Sequence, residues 1–165
     1  MERKTVTIRS TVIGGGLPKI CVPLVAGNEE ELKRALEALD GTVWDLAEWR
    51  VDYFEAFEDE TKLEYALKLI RETLGERPLL FTFRSAREGG EREISWEQYA
   101  RLNIWAAGSG LIDLADVEMS WGRERVSELI GKLQSLGACV LASSHDFKKT
   151  PDTMGMVEIL REMQS

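Results

Sequence analysis

The 165-residue sequence contains one histidine, His145. It stands where the apolar run Ala138-Cys139-Val140-Leu141-Ala142 turns polar at Ser143 and Ser144. An imidazole takes up and returns a proton near neutral pH, so the chemistry on offer is general acid/base catalysis. Asp146, Phe147, Lys148, Lys149, Thr150 and Pro151 follow and read as a loop and a helix start. The plainer reading is a hydrogen-bonded histidine at the border of a core, and position alone does not separate the two.

Other charges repeat the design. Glu48 and Arg50 lie two apart near the end of the apolar segment Val43–Arg50, so they share a strand face while Trp49 points the other way. Arg84 follows Leu79-Leu80-Phe81-Thr82-Phe83. Asp116 and Glu118 are again two apart. Burying an ion costs several kcal/mol unless it is paired. Repeating that cost at one edge of a sheet points to a polar pocket, or else to a salt-bridge ring closing the end of a barrel. Glu88, in the loop Ser85-Ala86-Arg87-Glu88-Gly89-Gly90, could orient the imidazole of His145. As a loop glutamate it could equally be a solvated surface charge.

The elements that must position these residues follow a regular pattern. Thr5–Ile8 and Thr11–Ile13 alternate as a small hairpin, closed by Gly14-Gly15-Gly16. No helix pattern follows these glycines, so they read as a turn, not a phosphate loop. Strand and helix patterns then alternate five times. Lys19–Leu24 precedes a helix opened by Asn28 and ended by Gly41, and Val43–Arg50 precedes one with Leu63, Leu67, Ile70 and Leu74. Pro78–Arg84 precedes a helix capped at Ser95 that runs to about Gly108. Leu111–Glu118 precedes one with Val126, Leu129, Ile130 and Leu133. The fifth strand, Ala138–Ala142, reads as buried on both faces, and Pro151 takes the first position of the last helix. Met156, Ile159, Leu160 and Met163 form that helix's apolar stripe. This alternation predicts an α/β fold in one domain, with a hairpin over 1–16 and five βα units over 19–165 building a parallel sheet. In such sheets ligands bind at the C-terminal strand ends.

Composition narrows the function classes. The net charge of -8 and the lack of a Lys/Arg cluster argue against nucleic acid. No stretch suggests a membrane span or signal peptide. Cys21 and Cys139 lack metal-ligand spacing and read as buried core residues of a reducing cytoplasm.

Four stretches resemble type I 3-dehydroquinate dehydratase, a shikimate-pathway lyase. They are Pro18-Lys19-Ile20-Cys21-Val22-Pro23-Leu24, Glu48-Trp49-Arg50-Val51-Asp52, Leu80 to Gly90 with Phe-Thr-Phe-Arg-Ser-Ala-Arg-Glu-Gly between, and Ser144-His145-Asp146-Phe147 with Lys149-Thr150-Pro151. The resemblance implies a (β/α)8 barrel, here its first five units, and dehydration of 3-dehydroquinate to 3-dehydroshikimate with no metal or organic cofactor. It implies that a lysine forms a Schiff base with the substrate ketone, that His145 is the general acid/base, and that Glu88 is its partner. Glu48, Arg50 and Arg84 would bind the substrate, and the parity of Glu118 places it with them.

The sequence departs from the family in one respect. It stops at Gln164-Ser165, whereas the family's Schiff-base lysine lies on a sixth strand and its carboxylate-gripping arginine later still. Lys148 and Lys149 do not match that lysine. The expectation is therefore a partial barrel, inactive by itself, with open edges that lead it to pair with a second copy or a complementing C-terminal half. Its rivals are another barrel aldolase or lyase using the same pocket, and a non-catalytic half-barrel that binds a small polyol acid.

Overall fold

The computed structural model describes residues 4–164. Strands β1 (Val6–Ile8) and β2 (Thr11–Ile13) form an antiparallel hairpin. Five further strands follow: β3 (Cys21–Leu24), β4 (Leu46–Arg50), β5 (Leu79–Thr82), β6 (Leu114–Glu118) and β7 (Cys139–Ser143). They make one parallel sheet in sequence order, β3-β4-β5-β6-β7. Helices α1 (Glu29–Glu37), α2 (Glu60–Leu74), α3 (Trp96–Gly108), α4 (Arg123–Ser135) and α5 (Thr153–Gln164) alternate with them. This is the parallel sheet that the alternation predicted, an arc of the (β/α) barrel that the resemblance implies.

Local chemistry explains the helix starts. Asn28 accepts from the Glu31 amide at 3.0 Å, and Asp59 accepts from the amides of Thr61 and Lys62. Ser95 and Gln98 close a reciprocal capping box. The outward strand residues carry most of the core. Trp49 on β4 is fully buried and meets Phe54 and Phe81 edge-on. On the inner face, Ile8 of the hairpin packs against Leu80 and Leu114 and closes the N-terminal end of the sheet. Arg9 and Arg71 both bond the Asp113 carboxylate, which fastens the hairpin from outside.

Three local expectations are corrected. β7 is half-exposed, not buried on both faces, because it is an edge of the sheet. The cysteines are not core residues, since Cys21 lies exposed on the opposite edge strand and Cys139 is half-buried. Pro151 lies ahead of the last helix, which begins at Thr153 behind Asp152, whose carboxylate accepts from the Gly155 amide at 2.8 Å. The polar cap outcompetes the proline rule. None of the residues of α5 is buried, so its apolar stripe lies uncovered on one side.

Candidate active site

Inner-face residues gather at the C-terminal edge of the sheet. Arg84, just past β5, is their centre. Its guanidinium meets Asp116 Oδ1 at 3.0 Å, Glu118 Oε1 at 3.0 Å and Glu88 Oε2 at 3.6 Å. It also donates to Ser143 Oγ at 2.9 Å, and that hydroxyl donates to Asp116 Oδ1 at 2.9 Å. One buried guanidinium thus serves three buried carboxylates, two from β6 and one from the loop after β5. Burial pulls the guanidinium's pKa down, but Asp116, Glu118 and Glu88 outweigh it and hold the charge on. The carboxylates outnumber their cation, and Asp116 bears the excess. Its burial pushes its pKa up to about 6 against the pull of Arg84 and Ser143, and Glu118 adds a push in the same direction.

Glu88 sits on a short 3-10 turn, Ala86–Glu88, and its side chain is buried. Its Oε2 accepts from the His145 main-chain N–H and from His145 Nδ1, both at 2.9 Å. A carboxylate facing Nδ1 assigns the proton there and leaves the lone pair on Nε2. His145 therefore presents a free nitrogen of fixed orientation, on a side chain 38% exposed to solvent. The Phe147 ring stacks on the imidazole at 6.3 Å and lies over Gly89, where any Cβ would come within 2.4 Å of it.

Glu48 and Arg50 project from β4 onto the same face, with Trp49 opposite. Arg50 is bidentate to Asp52, at 2.9 and 2.8 Å. Asp52 also accepts from the amides of Arg84 and Glu91, so it ties Arg50 to the loop that carries Glu88. Glu48 is half-buried and makes no hydrogen bond among the described residues. Glu118 differs from the reading of it as a substrate ligand. It is fully buried, and its oxygens are taken by Arg84, the Ser85 amide at 2.8 Å and Ser85 Oγ at 2.6 Å. Its contacts are all with the protein's own framework.

The structure thus joins Arg84, Glu88, Glu118 and His145 by direct contact and links Arg50 to them through Asp52. Asp52, Ser85 and Ser143 were not singled out as site residues from the sequence, and Asp116 was noted as a strand-end charge without a role. For Asp116 and Ser143 the parity signal was present, since they share the inner face with Glu118 and His145.

Comparison with known proteins places this arrangement. The family model for type I 3-dehydroquinase matches residues 20–165. The 3-dehydroquinate dehydratase of Shigella dysenteriae is 44% identical over 162 residues, covering 98% of this chain and 64% of the relative. That of Syntrophotalea carbinolica is 50% identical over 147 residues, 89% of this chain and 58% of the relative. The crystal structure of the Clostridium difficile type I enzyme, carrying covalently modified comenic acid, aligns with a TM-score of 0.94 and 38% identity over 98% of this chain and 64% of that one. The chain spans less than two thirds of the length of these relatives. A family model matched over almost the whole sequence, on a sheet of the same topology, shows that the chain belongs to the type I 3-dehydroquinase family.

Proposed function

We propose that residues 1–165 carry the acid/base part of a 3-dehydroquinate dehydratase site. His145 Nε2 takes the proton from the carbon next to the substrate ketone and later protonates the departing hydroxyl. Glu88 holds the imidazole in the tautomer that makes this possible. Glu48 and Arg50, with the face of Arg84, bind the hydroxyls and ring. The observation that carries the reading is the pair of 2.9 Å contacts from one Glu88 oxygen to both the main chain and the ring of His145. A salt-bridge ring that only closed a barrel end would not need to fix the orientation of a half-exposed imidazole.

A proton leaves a carbon beside a ketone readily only if the developing negative charge has a sink, and a protonated Schiff base supplies one. General-base help is worth about 10²–10⁴-fold, short of the 10⁶-fold or more typical of an enzyme. None of the lysines among the described residues is buried, and Lys148 and Lys149 lie in the exposed loop after His145. In this reading the sink is a lysine outside the described residues.

The test is complementation. Residues 1–165 are assayed for the conjugated product's absorbance alone, then mixed with the remaining third of the Shigella relative. We expect no turnover alone, turnover on mixing, and loss of that turnover with His145→Ala. Turnover by residues 1–165 alone, with a borohydride-trapped adduct on Lys148 or Lys149, would overturn the assignment of roles.

A further inference from the structure

We infer that Asp52 and Glu118 are positioning residues, two fully buried carboxylates that clasp the base of the loop Ser85–Arg92 from opposite sides and so fix where Glu88 meets His145. This rests on the acid/base role proposed for that pair.

The geometry is specific. From the β4 side, Asp52 receives the amides of Arg84 and Glu91, at the two ends of the loop, while its oxygens hold Arg50. From the β6 side, Glu118 receives the Ser85 amide and hydroxyl and the Arg84 guanidinium. Both carboxylates are fully buried. Within the loop, Ala86 N–H bonds Arg92 C=O at 2.9 Å and Gly90 N–H bonds Ser85 C=O at 2.9 Å, which makes it a closed ring of main chain. Gly90 passes so close that a Cβ would fall 1.8 Å from the Arg84 carbonyl oxygen. Glu88 rides on this ring, and its own contacts are Arg84 and His145. Its position is therefore inherited from the loop base, and the loop base is held by the two carboxylates. Burying two carboxylates is an expensive way to gain stability alone, since apolar residues fill such space at lower cost. Accepting main-chain amides at defined points is what a carboxylate does and an apolar side chain cannot.

His145 is the one histidine in the sequence, so the whole 165-residue chain, labelled with ¹⁵N, gives a single imidazole signal set. Long-range ¹H–¹⁵N correlation tells the Nδ1–H from the Nε2–H tautomer. The unmodified chain should show Nδ1–H. Because the side-chain oxygen of Glu88→Gln could still accept from Nδ1–H, the pairing is judged by Glu88→Ala, which must lose the Nδ1–H tautomer. If either fails, the pairing of Glu88 with His145 falls, independently of the clasp. With the pairing established, Glu118→Gln and Asp52→Asn should each move the imidazole towards the mixed tautomers of a free ring. Each should also cut the exchange protection of the His145 amide by about 10- to 100-fold. Asp116→Asn removes a carboxylate that touches Arg84 but no loop amide, and should leave both signals in place. If Glu118→Gln and Asp52→Asn remain folded and keep both signals, the inference is overturned. Should either fail to fold, Ser85→Ala decides, because it removes one contact to Glu118 and keeps every charge. An unchanged tautomer and amide in Ser85→Ala would then overturn the clasp.

Discussion

Asp116 shows how three carboxylates live with one guanidinium. Its pKa is raised from 3.8 to about 6, chiefly by burial. A carboxyl whose pKa is higher folded than unfolded favours the folded state in its protonated form. Its contribution is fully present below about pH 4 and is lost as the pH rises through about 6. A shift of that size corresponds to roughly 3 kcal/mol of strain carried at neutral pH. Asp116→Asn keeps the shape and removes the ionisation. We expect the variant to match the parent chain in thermal midpoint near pH 4 and to exceed it by several degrees at pH 7.5, as read by circular dichroism. Equal midpoints at both pH values would mean that Arg84 neutralises Asp116 fully.

At the scale of elements, the strands present the site and the helices hold the strands in place. Tyr99 of α3 is the clearest fastening. Its buried hydroxyl donates to the Asp116 carbonyl at 3.0 Å and accepts from the Glu118 amide at 3.1 Å. Both groups belong to the stretch of β6 that carries the two carboxylates. Tyr99→Phe leaves a buried carbonyl and a buried amide unpaired, which should cost about 1–3 kcal/mol in urea unfolding. A loss below about 0.5 kcal/mol would show that β6 does not depend on this bridge. Much of this architecture was legible in the sequence, because strand parity, helix caps and strand-helix alternation are local rules. The pairs Glu48/Arg50 and Asp116/Glu118 announced their shared face by spacing alone. Asp52 could not be read as a hub, because two of its partners are main-chain amides 32 and 39 residues away. The burial expected of Cys21 and β7 came from reading each apolar strand by itself, whereas the open edges expected of a five-unit sheet already implied exposure there.

At the scale of the molecule, the sheet has two edges among the described strands, β3 and β7. Val25, at the end of β3, and Leu141, on β7, are 46% and 40% exposed. On α5, Met154 and Leu160 are 63% and 57% exposed. Unpaired strand edges beside uncovered apolar side chains favour association, and the net charge of -8 opposes it most at low salt. We expect light scattering to show a mass above 18.6 kDa that grows with protein concentration and with added salt. A compact 18.6 kDa species throughout the micromolar range would count against association.

The hairpin at the N-terminal end also bears on how the chain assembles in time. Each strand of the sheet pairs with its predecessor in sequence, so β3 to β7 can be laid down one after another as the polypeptide leaves the ribosome. The hairpin breaks this rule. Ile8 rests on Leu80 and Leu114, and Arg9 reaches Asp113, more than a hundred residues later. Ser10 and Thr11 meet Glu76 and Asp45 earlier, but the hairpin's seat is complete only when β6 is in place. It is set fully only when four of the five parallel strands already stand.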